Sequence, residues 1–112
     1  MKVEAKQRVA RYFKDSKGRE PAKDWLNRLR DGFGQAKIYT RIARAEGGNF
    51  GEHRSVGEGV SELKIDTGPG YRVYFALDEN DEIILLLVAG DKSTQAGDIA
   101  EAKKHWKSHK GK

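Results

Sequence analysis

The stretch that most constrains this chain is residues 59–92, because its apolar positions switch period twice within one short run. From 61 to 67, Leu63 and Ile65 are apolar while Glu62, Lys64 and Asp66 are charged, the alternation of a half-buried strand. Gly68-Pro69-Gly70 then predicts a tight reversal, since glycine accepts positive φ and proline fixes its own. The alternation resumes with Tyr71, Val73, Phe75 and Leu77 on one side and Arg72, Tyr74 and Ala76 on the other. After a polar turn at 78–81, residues 83–89 are apolar throughout, as in an inner strand covered on both faces. If Leu63, Ile65, Val73 and Phe75 face a core, then Glu62, Lys64, Arg72 and Tyr74 share the opposite face. The pattern therefore predicts one face that packs and one that presents charge.

Upstream, residues 3–12 are expected as a first strand, with Val3, Ala5, Gln7 and Val9 set against Lys6, Arg8 and Ala10. Glu20-Pro21 opens a helix whose Ala22, Trp25, Leu26 and Leu29 form one stripe. Asp31-Gly32-Phe33-Gly34 is expected to end it before a second helix over 35–46, with Ile38, Ile42 and Ala45 inward. That short break favours a helical hairpin on one sheet face. A glycine-rich connector at 47–51 leads to a short strand over 52–58 carrying His53 and Arg54. A final helix, capped by Ser93 or Thr94, places Asp98 near its start, Ile99, Ala102 and Trp106 inward, and lysines 103, 104, 107, 110 and 112 at a solvated basic end. The order is βααββββα in one domain over 1–112, an α+β fold with a mainly antiparallel twisted sheet.

The absence of cysteine excludes a disulfide framework and a thiolate metal site, and with only three histidines in the chain zinc is not expected, so no cofactor is expected. No run approaches the roughly 20 apolar residues of a membrane span, and the Met-Lys start lacks an apolar signal region. A cytoplasmic protein is the expectation. The net charge of +5 is unevenly spread: residues 1–56 hold 14 Lys and Arg against 7 Asp and Glu, and residues 57–102 hold 3 against 10. Basic ends around an acidic middle suit an acidic partner such as nucleic acid.

No serine sits in a nucleophile-elbow context, and Asp78, Glu79, Asp81 and Glu82 crowd a hairpin tip where solvated turn residues are expected. The notable cluster is cationic: Lys64, Arg72 and, past the last strand, Lys92. Metal-free RNA cleavage needs a base for the 2′-hydroxyl, an acid for the leaving 5′-oxygen and positive charge for the phosphoryl oxygens, roles arginine and lysine suit. Tyr74, and less readily the inward-set Tyr71, offers a ring on which a base stacks. The plainer alternative is that Lys64 and Arg72 form cross-strand pairs with Glu62 or Asp66. Lys37, Arg41 and Arg44 lie along one helix line, either a solvated face or a phosphate track. His53 is a candidate acid or base, although a lone histidine in a connector is usually structural or exposed.

In combination, Gly-Val-Ser-Glu-Leu-Lys-Ile (59–65), Gly-Pro-Gly-Tyr-Arg-Val-Tyr-Phe (68–75), Gly-Asp-Lys-Ser-Thr-Gln (90–95) and Asp-Ile-x-x-Ala (98–102) resemble the RelE/ParE superfamily of bacterial toxins. The Trp-Leu-x-x-Leu helix at 25–29 and Gly-Asn-Phe-Gly at 48–51 extend the resemblance over nearly the whole chain, nearest the HigB-like addiction-module killer proteins. The resemblance implies a RelE-like fold and a toxin that cleaves mRNA on the translating ribosome. It also implies a cognate antitoxin, a small DNA-binding protein through which the complex reaches operator DNA. By position, Arg72 matches the family's phosphate-stabilising arginine, Lys64 a catalytic lysine, and Lys92 a basic residue that is often arginine. Glu62 stands where RelE has a second lysine, and Asp98 lies near its C-terminal catalytic tyrosine, which leaves three alternatives: Glu62 is the base, Lys64 acts alone, or catalysis is lost. Lys37, Arg41, Arg44 and Arg54 would contact ribosomal RNA. The rival implication is a non-catalytic, ParE-like inhibitor of DNA gyrase acting through protein contacts.

Overall fold

The computed structural model describes residues 6–111. Nine elements follow in order: β1 (Val9–Tyr12), α1 (Pro21–Arg28), α2 (Gly32–Glu46), β2 (His53–Gly57), β3 (Val60–Ile65), β4 (Tyr71–Leu77), β5 (Ile83–Asp91), a 3-10 turn (Lys92–Thr94) and α3 (Gln95–Lys110). The five strands form one mixed sheet in the order β1-β5-β4-β3-β2, with β1 parallel to β5 and the other neighbours antiparallel. Of the strand expected over 3–12, Val3 and Ala5 fall outside the described residues, as does Lys112 of the basic end; pairing with β5 begins at Val9. The outer edge of β1 is partly occupied, because the Ala10 N–H donates to the Glu46 carboxylate at 2.8 Å.

Two apolar clusters hold the layers together. On one face, Ala22 and Leu26 of α1 and Ile38, Ile42 and Ala45 of α2 pack on Leu63, Ile65, Val73, Phe75, Ile84 and Leu86. On the other, Ala102 and Trp106 of α3, with Phe13, cover Val60, Tyr74, Ala76, Leu85, Leu87 and Val88. The apolar run 83–89 of β5 thus lies between two helical layers, as the sequence implies. Its pairing jumps from Tyr74↔Val88 to Phe75↔Leu86, a bulge that turns both Leu87 and Val88 toward α3.

This second layer corrects the expectation of an open charged face. The even set of β4 is Arg72, Tyr74 and Ala76, and the last two supply the apolar floor that the α3 stripe needs. Tyr74 is fully buried, and Glu62 and Arg72 are 1% and 5% exposed. The corner at the start of α3 stays open, where the Arg54 and Lys64 side chains reach solvent.

The connection between α1 and α2 also differs from expectation. Residues 31–34 do not terminate α1, which ends at Arg28; they begin α2. Asp31 is the reason: as N-cap, its side chain accepts the Gly34 N–H at 3.0 Å, which draws Gly32 and Gly34 into the first turn. Asp31 also accepts the Tyr71 hydroxyl at 2.7 Å, tying this turn to β4. Burial, then the Asp31 bond and charge, push the Tyr71 hydroxyl up to about 12.

At the other end of the sheet, Asp91 caps the 3-10 turn by accepting the Ser93 N–H at 2.8 Å, and Thr94 donates its hydroxyl to Asp98 at 2.6 Å. Gly90 faces that pair. A Cβ there would collide with the Asp98 carboxylate and lie 2.8 Å from the Thr94 hydroxyl oxygen. Gly90→Ala is expected to destabilise by about 1–3 kcal/mol through overpacking, measured as a lower urea midpoint with an unchanged slope.

Candidate functional site

The open corner lies on the α3 side of β2, β3 and β4. Strand register builds it: Arg54 lies opposite Glu62, and Lys64 opposite Arg72, so these four side chains share one face. Lys92 follows β5 in the 3-10 turn, and Gln95 opens α3. Together with Glu52 they surround a cavity of about 320 Å³. Four cations, Arg54, Lys64, Arg72 and Lys92, face two carboxylates, Glu52 and Glu62, so the cavity favours an anion.

Glu62 anchors the arrangement. One carboxylate oxygen accepts from Arg54 Nε at 3.1 Å; the other accepts from Gln95 Nε2 at 2.9 Å and lies 3.8 Å from Arg72 Nε. Burial opposes its charge, but the bonds from Gln95 and Arg54 and the Arg54 charge outweigh it and hold the carboxyl below the usual range. Arg72 is nearly enclosed. Its Nη1 donates to the Gly70 carbonyl at 2.6 Å, while its Nε has no hydrogen-bond partner. The plain cross-strand pairing is therefore realised in part: Arg72 pairs diagonally with Glu62, whereas Lys64 turns to Glu52 at 3.6 Å.

Three expected nucleic-acid contacts are placed differently. Tyr74 cannot stack on a base, because α3 covers its ring completely; burial and then the Glu62 charge drive its hydroxyl pKa well up. Arg41 is not free for a phosphate. Its Nη1 donates to the Lys64 carbonyl at 2.6 Å and its Nη2 to the carbonyls of Phe50 and Glu52, each at 2.9 Å, clamping the 50–52 turn onto β3. Gly51 makes room for it: with φ +61°, a Cβ there would sit 2.9 Å from Arg41 Nη2. Arg54 is 61% exposed at its side chain but bonded to Glu62. Lys37 and Arg44 border a separate cavity of about 230 Å³ that also includes Thr67, with the Lys37 ammonium over the Phe33 ring.

His53 borders the main cavity, yet it pairs with Leu63, a residue of the α1–α2 face, and its ring lies 5.4 Å from that of Phe50. Its ring therefore belongs to the other side of the sheet. Two participants escaped the sequence reading, Glu52 and Gln95. Glu52 falls at the first position of the strand expected over 52–58, which in the structure begins one residue later at His53, and no pattern there marks it for the cavity; Gln95 opens a helix, outside any strand alternation. A larger cleft of about 930 Å³ between α1 and α3, with Phe13 and Trp25 in its wall, holds none of the candidate cations. Among the described residues no group of three or more His, Cys, Asp or Glu could hold a metal ion, and no helix is long and apolar enough to cross a membrane.

A protein of Haemophilus influenzae (strain Rd), described as uncharacterized, is 49% identical to this chain over 79 residues, covering 70% of this chain and 79% of the relative. The two belong to one family. Identity at that level over most of both chains implies the same fold. No protein-family model matches the chain, and no solved structure matches it.

Proposed function

We propose that this protein is the toxin of a bacterial toxin-antitoxin module, a RelE/ParE-type endoribonuclease that cleaves mRNA on the translating ribosome. The observation that carries this reading is the meeting of Lys64, Arg72 and Lys92 around one anion-favouring cavity of about 320 Å³. The scissile phosphate sits among these cations. The 2′-oxygen bonds to phosphorus, the bond from phosphorus to the 5′-oxygen breaks, and the products are a 2′,3′-cyclic phosphate and a 5′-hydroxyl. The Arg72 guanidinium, which lines the cavity, meets the charge that develops on the phosphoryl oxygens, Lys92 serves the leaving 5′-oxygen, and Lys64 supplies charge on the side of the attacking oxygen. Glu62, with both oxygens engaged, acts as the anchor that aims Arg72 and Arg54 rather than as a base. Lys37 and Arg44 remain available for ribosomal RNA, Arg54 only through the exposed part of its guanidinium that Glu62 leaves unbound, and a cognate antitoxin silences the site.

Inducible expression in a bacterium tests this. The expected result is growth arrest with new transcript ends inside translated reading frames, abolished when initiation is blocked. One observation favours a second reading: the Glu62–Arg72 pair lies in the interior and withdraws charge from the cavity. A ParE-like, non-catalytic inhibitor of DNA gyrase needs no such charge. Under that reading, transcripts stay intact and supercoiling activity falls.

A further inference from the structure

We infer that Glu52 is the group that takes the proton from the attacking 2′-hydroxyl; this rests on the RNA-cleaving reading of the cavity. Among the described residues, three that border the cavity carry a proton acceptor: Glu52, Glu62 and His53. Glu62 is spent, since its oxygens already accept Arg54 and Gln95 and it is 1% exposed. The His53 ring lies against Phe50 on the other side of the sheet. Glu52 alone keeps an open carboxylate, with its side chain 59% exposed, and stands 3.6 Å from the Lys64 ammonium.

The position of Glu52 is fixed although it lies outside any strand. Its carbonyl accepts the Lys64 N–H at 3.0 Å and Arg41 Nη2 at 2.9 Å, so two donors hold its main chain beside β3. Arg41 is thus a positioning residue. In the reaction, the proton passes from the 2′-hydroxyl to a Glu52 carboxylate oxygen as the 2′-oxygen bonds to phosphorus. The 5′-oxygen leaves with the bonding pair and takes a proton from the Lys92 ammonium. Lys64, 3.6 Å from the Glu52 carboxylate, holds it at the cavity. The two proton transfers balance, and no oxidant or cofactor takes part.

The test uses the purified protein with ribosomes translating a defined mRNA, comparing wild type, E52Q and E52D. The expected result for E52Q is a loss of about 100-fold or more in kcat with KM nearly unchanged, the scale of a lost general base. Wild-type kcat should rise with pH along an acidic limb that is absent in E52Q, and E52D should recover part of the rate, which a merely structural role would not produce. If E52Q cleaves at the wild-type rate with the same pH profile, the inference is overturned while the RNA-cleaving reading stands. If the wild type leaves the mRNA intact, that reading falls and this inference with it.

Discussion

Replacing Glu62 with leucine is expected to destabilise the protein by about 3–5 kcal/mol, the cost of leaving a buried charge without its partner. The charge at issue is Arg72, 5% exposed, which would keep only the Gly70 carbonyl as acceptor. Arg54 contributes less, because its exposed guanidinium can turn to water. Gln95 also loses its acceptor, so the first turn of α3 loosens from β3. The urea midpoint at neutral pH measures the effect, and Glu62→Gln, which keeps an acceptor oxygen, should lose less.

The same variant carries a pH signature. The folded-state pKa of Glu62 lies below its unfolded value of about 4.3, so its stabilising contribution is complete above that value and is lost as pH falls through the folded one. The gap between wild type and Glu62→Leu should therefore narrow in acid. Asp98 has the opposite sign. Burial raises its pKa above the unfolded value of about 3.9, so the stability linked to its protonated form is present below that value and lost as pH rises through the folded pKa.

Arg72→Ala is expected to lower mRNA cleavage by about 100- to 1000-fold, the scale of removing one donor from a developing oxyanion. It should also destabilise, since Glu62 loses a neighbouring cation. Arg72→Lys separates the two contributions. It keeps a cation near Glu62 and recovers most of the stability, but it lacks the planar fork and so should recover little cleavage. Single-turnover rates on programmed ribosomes, read beside the urea midpoint of each variant, check this.

Strand positions were legible in the sequence wherever alternation was strict. Leu63 and Ile65, and Tyr71, Val73 and Phe75, do face the α1–α2 layer. The opposite face does not follow by subtraction. Tyr74 and Ala76 alternate with the core set and were grouped with Arg72, yet they are apolar enough to receive α3; which strand face a distant helix covers is a tertiary choice that local pattern does not encode. The same limit applies to Arg41. Its helical spacing with Lys37 and Arg44 placed it on a shared line, but the carbonyls of Phe50, Glu52 and Lys64, brought close by the Gly51 turn, captured it. That Lys64, Arg72 and Lys92 border one cavity follows from their places in the pattern, since strand register alone brings the first two together. The place of Glu52 does not, because its aim comes from two long-range hydrogen bonds rather than from a repeat.

The most direct measurement is the chemistry of the ends left on an mRNA incubated with translating ribosomes and the purified protein. The account predicts 5′-hydroxyl and 2′,3′-cyclic phosphate ends, formed by wild type and lost with Lys64→Ala. Intact mRNA, or cuts that bear 5′-phosphates, would contradict it.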